Sequence, residues 1–150
     1  MSPRRPPVPI GPYEASEYVV VAGGREVAIR IGRTSPDLDA LFDARGAASG
    51  TCITAANPFS EWQTDAVNTA ANERLAELLR GGGWRTLPHV GRSPDGTWVE
   101  AGFFVLDLDE AAALAIAERF GQFGIVAIAR GRPARLVLTR LAQGEDGEGF

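Results

Sequence analysis

Uncharged hydrogen-bonding side chains are concentrated in one stretch, where an apolar run ends and a helical pattern begins. Its polar members are Thr54, Asn57, Ser60, Asn68 and Asn72. At about 100° per residue, Asn68 and Asn72 continue the row of Leu75, so both amides are expected to face protein. A half-buried amide without partners costs about 1 to 3 kcal/mol, so both amides need specific partners.

Two interpretations of this polar cluster are open. In the functional one, the amides and hydroxyls hold a small ligand near a positive helix N-terminus. In the structural one, the asparagines fix the turn at Asn57 and Pro58. The sequence from Ser60 to Gln63 also fits a capping box, which would make Ser60 the N-cap of the next helix.

Glu100 is the only acid inside a predicted central strand, where alternation places it on one face with Trp98 and Gly102. A desolvated carboxyl there can serve as a catalytic general acid or base, or accept a hydrogen bond from a ligand. The alternatives are a solvated sheet face or a pair with an arginine. Gln122 follows the helix stop Gly121 and offers its amide either to a ligand or to local backbone.

The single histidine and the single cysteine are both interpreted as structural. His89 has no conventional catalytic partner in the sequence, which favours a structural or surface role. Cys52 lies in an apolar strand, where cysteine behaves as a small hydrophobe. One cysteine excludes an intramolecular disulfide and a thiolate cluster. No metal and no cofactor are therefore predicted.

Composition limits the class of protein. The 150 residues are 45 % hydrophobic and 23 % charged, which is typical of one globular domain. A net charge of -4 argues against a general nucleic-acid binder. No apolar run approaches the roughly 20 residues that span a bilayer, and no secretory h-region follows the first residues. We therefore expect no membrane association and a cytoplasmic location. Abundant Ala, Gly and Arg suggest a bacterial genome rich in G and C.

Turn residues divide the chain into regular elements. A flexible proline-rich arm is predicted at 1–14, a single domain at 15–141 and a flexible acidic tail at 142–150. The domain begins with a hairpin over Gly23 and Gly24, and a short helix with Ser35 as N-cap and Gly46 as stop follows.

From Thr51 onward the pattern predicts the order βαββαβ with one extra strand. The predicted strands are 51–56, 84–90, 97–106, 124–130 and 134–139, and the predicted helices are 62–80 and 109–120. This order indicates an α+β fold with a mainly antiparallel sheet. It is typical of the split βαβ, or ferredoxin-like, arrangement at about 50–139, which the hairpin and short helix precede.

Four motifs in this order resemble a bacterial family of unknown function, domain-of-unknown-function family 3293. They are the segment 54–60, Asn68 with Leu75, the block 96–100, and Phe120, Gly121 and Gln122. Together they span roughly residues 50 to 138. The chain departs from the family pattern at Ala56, where an aromatic residue is common, and at Ala101 and Gly102, where Pro and Ser are common. The resemblance implies which residues matter and brings no established activity.

The leading functional hypothesis is a small ligand-binding or regulatory module. Its site would form where Asn57, Asn68, Glu100 and Gln122 converge, and its ligand would be a neutral or anionic small molecule. A second hypothesis is an enzyme that uses Glu100 as general acid or base. A third is an interaction subunit, in which the proline-rich arm and an exposed strand edge recruit a protein partner or a second copy.

Overall fold

A computed structural model describes residues 8–143 of the chain. Residues 1–7 of the predicted arm and residues 144–150 of the predicted tail lie outside the described residues. The helices are α1 (Gly11–Ala15), α2 (Pro36–Arg45), α3 (Asp65–Gly81) and α4 (Glu110–Arg119). The strands are β1 (Glu17–Ala22), β2 (Arg25–Ile29), β3 (Ser49–Ile53), β4 (Arg85–Arg92), β5 (Val99–Leu106), β6 (Gly124–Ala129) and β7 (Arg135–Leu138). Short 3-10 turns occupy Pro58–Ser60 and Arg140–Gln143.

The strands form one curled sheet in the order β2-β1-β4-β5-β3-β6-β7, and each neighbouring pair is antiparallel. The curl brings the two edges of the sheet together. Ile31, which follows β2, forms a bridge there with Ala134, which precedes β7. The Gly32 amide also donates to the Ala134 carbonyl at 2.8 Å. The α+β class and the mainly antiparallel sheet are therefore confirmed.

One end of the concave sheet face is filled by α2. Ser35 caps this helix by accepting from the Leu38 amide at 3.1 Å, and Gly46 ends it in the left-handed conformation at φ 63°. The helix buries Leu38 and Phe42 completely. The Phe42 ring lies 6.0 Å from the Phe104 ring of β5, centroid to centroid, and it closes this end of the sheet.

The opposite sheet face is covered by α3 and α4. Their buried side chains pack against outward-facing strand residues in a second apolar cluster, which includes Ile53, Ala71, Leu75, Leu79, Val105, Ala113, Ala117 and Ile125. The small residues Ala113 and Ala117 let α4 approach the sheet closely. Val67, in the first turn of α3, lies outside this cluster and is 49 % exposed.

The start of α3 differs from the prediction. Thr64 is its N-cap and accepts from the Val67 amide at 3.2 Å. Ser60 instead ends the 3-10 turn with φ 56°, so the capping-box prediction for Ser60 is wrong. The chain between β3 and α3 is irregular because Asn57 takes up a left-handed conformation, which ends the strand direction.

The arm and the tail also differ from the prediction in part. Residues Gly11–Ala15 form α1, where an extended arm was predicted. Ala142, at the predicted start of the tail, is buried. The Val8 amide donates to the Ala142 carbonyl at 3.2 Å, which ties the two ends of the described chain together.

We predict that Gly50→Ala lowers the free energy of unfolding by about 1 to 3 kcal/mol, because a Cβ at this position would overlap the Phe104 ring. Urea unfolding followed by circular dichroism measures the change. Gly81→Ala is the matched control, since nothing lies within 4 Å of its added Cβ. This control should be neutral or stabilising by up to about 1 kcal/mol. Equal effects of the two substitutions would contradict the close packing of Gly50.

Candidate functional site

Asn57 organises the irregular segment between β3 and α3. Its side chain is 3 % exposed and its backbone is left-handed, with φ 47°. The Asn57 backbone N–H donates to Asn68 Oδ1 at 2.8 Å, and Asn68 Nδ2 donates back to Asn57 Oδ1 at 3.0 Å. Asn57 Oδ1 also accepts from the Gln63 backbone N–H at 2.8 Å. The remaining donor of Asn57, Nδ2, points to Glu100 Oε2 at 3.1 Å.

Asn72 and Thr54 join the end of β3 to its neighbours. Asn72 Oδ1 accepts from the Ala55 amide at 2.9 Å, and its Nδ2 donates to the Ala101 carbonyl at 3.0 Å. Thr54 Oγ1 donates to the same carbonyl at 2.6 Å and accepts from the Ala56 amide at 3.0 Å. Backbone groups therefore satisfy Asn72, as the structural interpretation expects. They also use most of the hydrogen-bonding capacity of the Thr54 hydroxyl.

Gln122 holds the same segment from the other side. Its Nε2 donates to the Ala56 carbonyl at 3.0 Å and more weakly to the Phe120 carbonyl at 3.3 Å. Gly121, with φ 70°, permits this approach, because a Cβ there would lie 2.8 Å from Pro58 Cβ. The turn after α4 and the turn after β3 therefore pack directly against each other.

A cavity of about 770 Å³ occupies the open end of the concave sheet face, opposite α2. Inward-facing residues of the strands form its floor, the turn around Asn57 forms one wall, and α1 with the preceding residues contributes to its rim. The residues that line it include Tyr13, Tyr18, Thr54, Asn57, Ser60, His89, Gly91, Arg92, Asp95, Trp98, Glu100, Gln122 and Phe123.

Glu100 places a carboxyl in this cavity. Burial raises its pKa above the ordinary value, whereas hydrogen bonds from the Asn57 and Trp98 side chains lower it. Glu100 takes part in no ion pair within residues 8–143. Burial and, second, the charge of Glu100 raise the pKa of Tyr13 to about 12. The solvated or arginine-paired alternatives for Glu100 are therefore not what the structure shows.

His89 also lines the cavity, and its ring is 4 % exposed. Its Nδ1 has no hydrogen-bond partner in the described part of the chain. Burial lowers the pKa of His89 to about 4, and a hydrogen bond to the Phe103 backbone offsets this only in part. Gly102 lies opposite His89 in the register, and a Cβ there would come within 2.6 Å of His89 Cε1. Gly102 thus makes room for the imidazole.

The predicted site residues divide into two groups. Thr54, Asn57, Ser60, Trp98, Glu100 and Gln122 line the cavity, whereas Asn68 and Asn72 lie behind it and hold the wall. Hydrogen bonds join Asn57, Asn68 and Glu100 directly, and Gln122 meets them through the Ala56 carbonyl.

Among the cavity residues that the sequence interpretation did not assign to the site are Tyr13, Tyr18 and His89. His89 could have been found from the alternation in β4, which places it on the same face as Leu87 and Gly91. The tyrosines gave no such signal, because they come from a predicted arm and an edge hairpin.

Among the described residues there is no group of three or more His, Cys, Asp or Glu that could hold a metal ion. In the same part of the chain no helix combines the length and apolar character needed to cross a membrane. Cys52 is fully buried, and this burial raises the pKa of its thiol, as the structural interpretation expects.

A family model described as "Protein of unknown function (DUF3293)" matches residues 53–125. The resemblance inferred from the four motifs is thereby confirmed. The matched stretch includes Asn57, Asn68, His89, Glu100 and Gln122, and it leaves out both tyrosines of the cavity. No curated protein and no solved structure matches the chain.

We predict that His89 titrates near pH 4 in the folded protein. It is the only histidine, so its Cε1 proton should give one imidazole signal in an NMR titration. Folding lowers the pKa of His89, so its contribution to the free energy of unfolding is fully present above about pH 6.5 and is lost as the pH falls toward 4. This lowers the free energy of unfolding by at most about 3 kcal/mol. A midpoint near 6.5 would contradict the burial of the ring and of its unpartnered Nδ1, and His89→Leu should lack this part of the pH dependence.

Proposed function

We propose that this protein binds a small organic molecule in the cavity at the open end of the sheet. The observation that carries the proposal is a half-buried carboxyl, Glu100, which faces a cavity of about 770 Å³ and is oriented by Asn57. Ligand sites in proteins are typically concave spaces of about 300 to 1,000 Å³ with a few placed polar groups in an apolar wall. The cavity and its single carboxyl fit this description.

The hydrogen-bonding state of the wall indicates what kind of ligand fits. Asn68, Asn72 and Gln122 are engaged with the backbone or with Asn57, so they have little capacity left for a ligand. The carboxyl of Glu100 is then the main polar group that the cavity offers to a ligand. The sequence led us to expect a neutral or anionic ligand. Because a carboxylate accepts hydrogen bonds and repels anions, we now favour a ligand that donates hydrogen bonds over an anionic one.

We also infer that β3 to β6 with α3 and α4 constitute a split βαβ, or ferredoxin-like, unit. Its support is the sheet order β4-β5-β3-β6 with antiparallel neighbours and the position of both helices on one sheet face. In this assignment the site lies on the other sheet face, the one that the first hairpin and α2 enclose.

We predict that Gly91→Val weakens ligand binding by at least about 10-fold without unfolding the protein. Gly91 lines the cavity, and its added Cβ would lie 3.4 Å from the Tyr18 ring, an ordinary contact. The two methyl groups would then occupy ligand space. Binding is measured by ligand-observed NMR with a library of small organic molecules, using hits of the unmodified protein.

Thr86→Val is the matched control for Gly91→Val, because Thr86 lies in the same strand, is exposed, and does not line the cavity. It should leave binding within about twofold of the unmodified protein. Equal binding to both variants would place the ligand elsewhere and contradict the proposal.

A second candidate function is acid or base catalysis by Glu100. The observation that favours it is the raised pKa of a carboxyl in a cavity, the state that suits a general acid. Asn57 would act as a positioning residue, since it donates to Glu100 and is itself held by Asn68.

We predict for this second function that the protein consumes a bound molecule over time and that Glu100→Gln slows this by about 100-fold or more while binding persists. Native mass spectrometry of the protein with a bacterial metabolite extract gives both the bound mass and its change with time. Glu26→Gln, which removes an exposed acid outside the cavity, is the control. A bound molecule that never changes would leave binding as the function and contradict catalysis.

The interaction-subunit hypothesis stays a prediction. The sheet edges meet at Ile31 and Ala134, which reduces the edge that a partner strand could join.

A further inference from the structure

The carboxyl of Glu100 lacks a charged partner in the described part of the chain. It is half-buried in the lining of the cavity, and within the described residues it has no ion pair. A carboxylate taken out of water is costly unless a cation or several donors compensate it. Asn57 and Trp98 supply two donors, both of them neutral.

The other charged groups of the lining do not balance Glu100. Arg92 donates to Glu17 at 2.8 and 3.1 Å, so its charge is already paired. Asp95 accepts from Ser93 and Thr97 within its own turn. The buried His89 is neutral at pH 7, because its pKa is lowered to about 4. The cavity lining therefore carries two carboxyls, the half-buried Glu100 and the exposed Asp95, and neither takes part in an ion pair within the described residues.

Three aromatic side chains share the lining of the cavity with the Glu100 carboxyl. They are Tyr13 from α1, Tyr18 from β1 and Trp98 just before β5. The Trp98 side chain also donates a hydrogen bond to Glu100, and burial raises the pKa of both tyrosines. The faces of such rings attract cations, and this attraction is strongest in a desolvated site.

We infer that the cavity binds a small organic cation, an ammonium group carried on an apolar or aromatic body, with Glu100 as its counter-charge and Tyr13, Tyr18 and Trp98 as its aromatic walls. This inference rests on the proposed ligand-binding function and specifies the ligand class. The carboxyl contributes charge-assisted hydrogen bonds, the rings contribute cation–π attraction, and the apolar floor takes the body of the ligand.

Three probes of nearly the same shape test the inference: 2-phenylethylamine, 2-phenylethanol and 3-phenylpropionate. Isothermal titration calorimetry at pH 7 with residues 1–150 gives the affinity of each. We expect the amine to bind at least about 10-fold more tightly than the alcohol, and the carboxylate to bind most weakly, from the sign of the Glu100 charge. This comparison uses the unmodified protein and so does not depend on the folding of a variant.

Two variants locate the preference. Glu100→Gln should remove the advantage of the amine over the alcohol, so that the two affinities for this variant agree within about twofold. Glu26→Gln removes the same charge from an exposed position outside the cavity, and should leave the advantage intact.

The outcomes separate this inference from the function on which it rests. If amine and alcohol bind equally, or if the carboxylate binds best, the cation inference is overturned and ligand binding in the cavity stands. If the amine preference persists in Glu100→Gln, the cation site is not at this carboxyl and the inference fails. If none of the probes binds a protein shown to be folded by circular dichroism, the inference and the proposed function both fail.

Discussion

The Asn57 side chain connects three parts of the molecule that are distant in sequence. Its oxygen accepts from α3 through Asn68 and from the turn through Gln63, and its nitrogen donates to Glu100 on β5. A backbone with φ 47° is uncommon for a residue with a side chain, although asparagine tolerates it better than most. The conformation persists because the reciprocal bonds to Asn68 hold it. The direction of the Glu100 carboxyl therefore depends on a residue 43 positions away, and that residue depends on a helix.

The two ends of the concave face differ because of where side chains are missing. Near α2, the Phe104 ring occupies the space over Gly50, so the face is packed solid. Toward the other end, Gly91 lines the cavity without a side chain, and Gly102 gives its space to the His89 ring. Within one strand, β5, a large residue closes the core and a glycine two positions earlier admits the imidazole that lines the cavity. The alternation of strand side chains places both on the same face.

Local rules predicted the parts of the fold that local chemistry determines. The hairpin over Gly23 and Gly24 and the caps of α2 at Ser35 and Gly46 follow directly from residue type. Ser60 shows where such rules fail, because two hydroxyl residues precede α3 and either one suits an N-cap. Thr64 is the N-cap of α3 because Asn57 Oδ1 accepts from the Gln63 backbone N–H, which keeps residues 60–63 out of the helix.

The site was predictable in part for the same reason. Asn57, Asn68 and Glu100 lie within the family pattern and on recognisable faces, so their convergence could be inferred. The curl of the sheet, which brings Tyr18 from the hairpin over the cavity, results from long-range pairing that no local pattern specifies. Tyr13 was missed because a five-residue helix without buried residues carries no periodic signal.

The hydrogen bond between the Val8 amide and the Ala142 carbonyl makes the path of the chain almost a ring. Val8 also lines the cavity, so the contact that closes the ring lies next to the candidate site. This contact also means that Ala142 fixes Val8 at the wall of the cavity. A deletion at the C-terminal end would remove the acceptor that fixes the N-terminal residues, and the cavity would lose part of its rim without any change in the residues that form its floor.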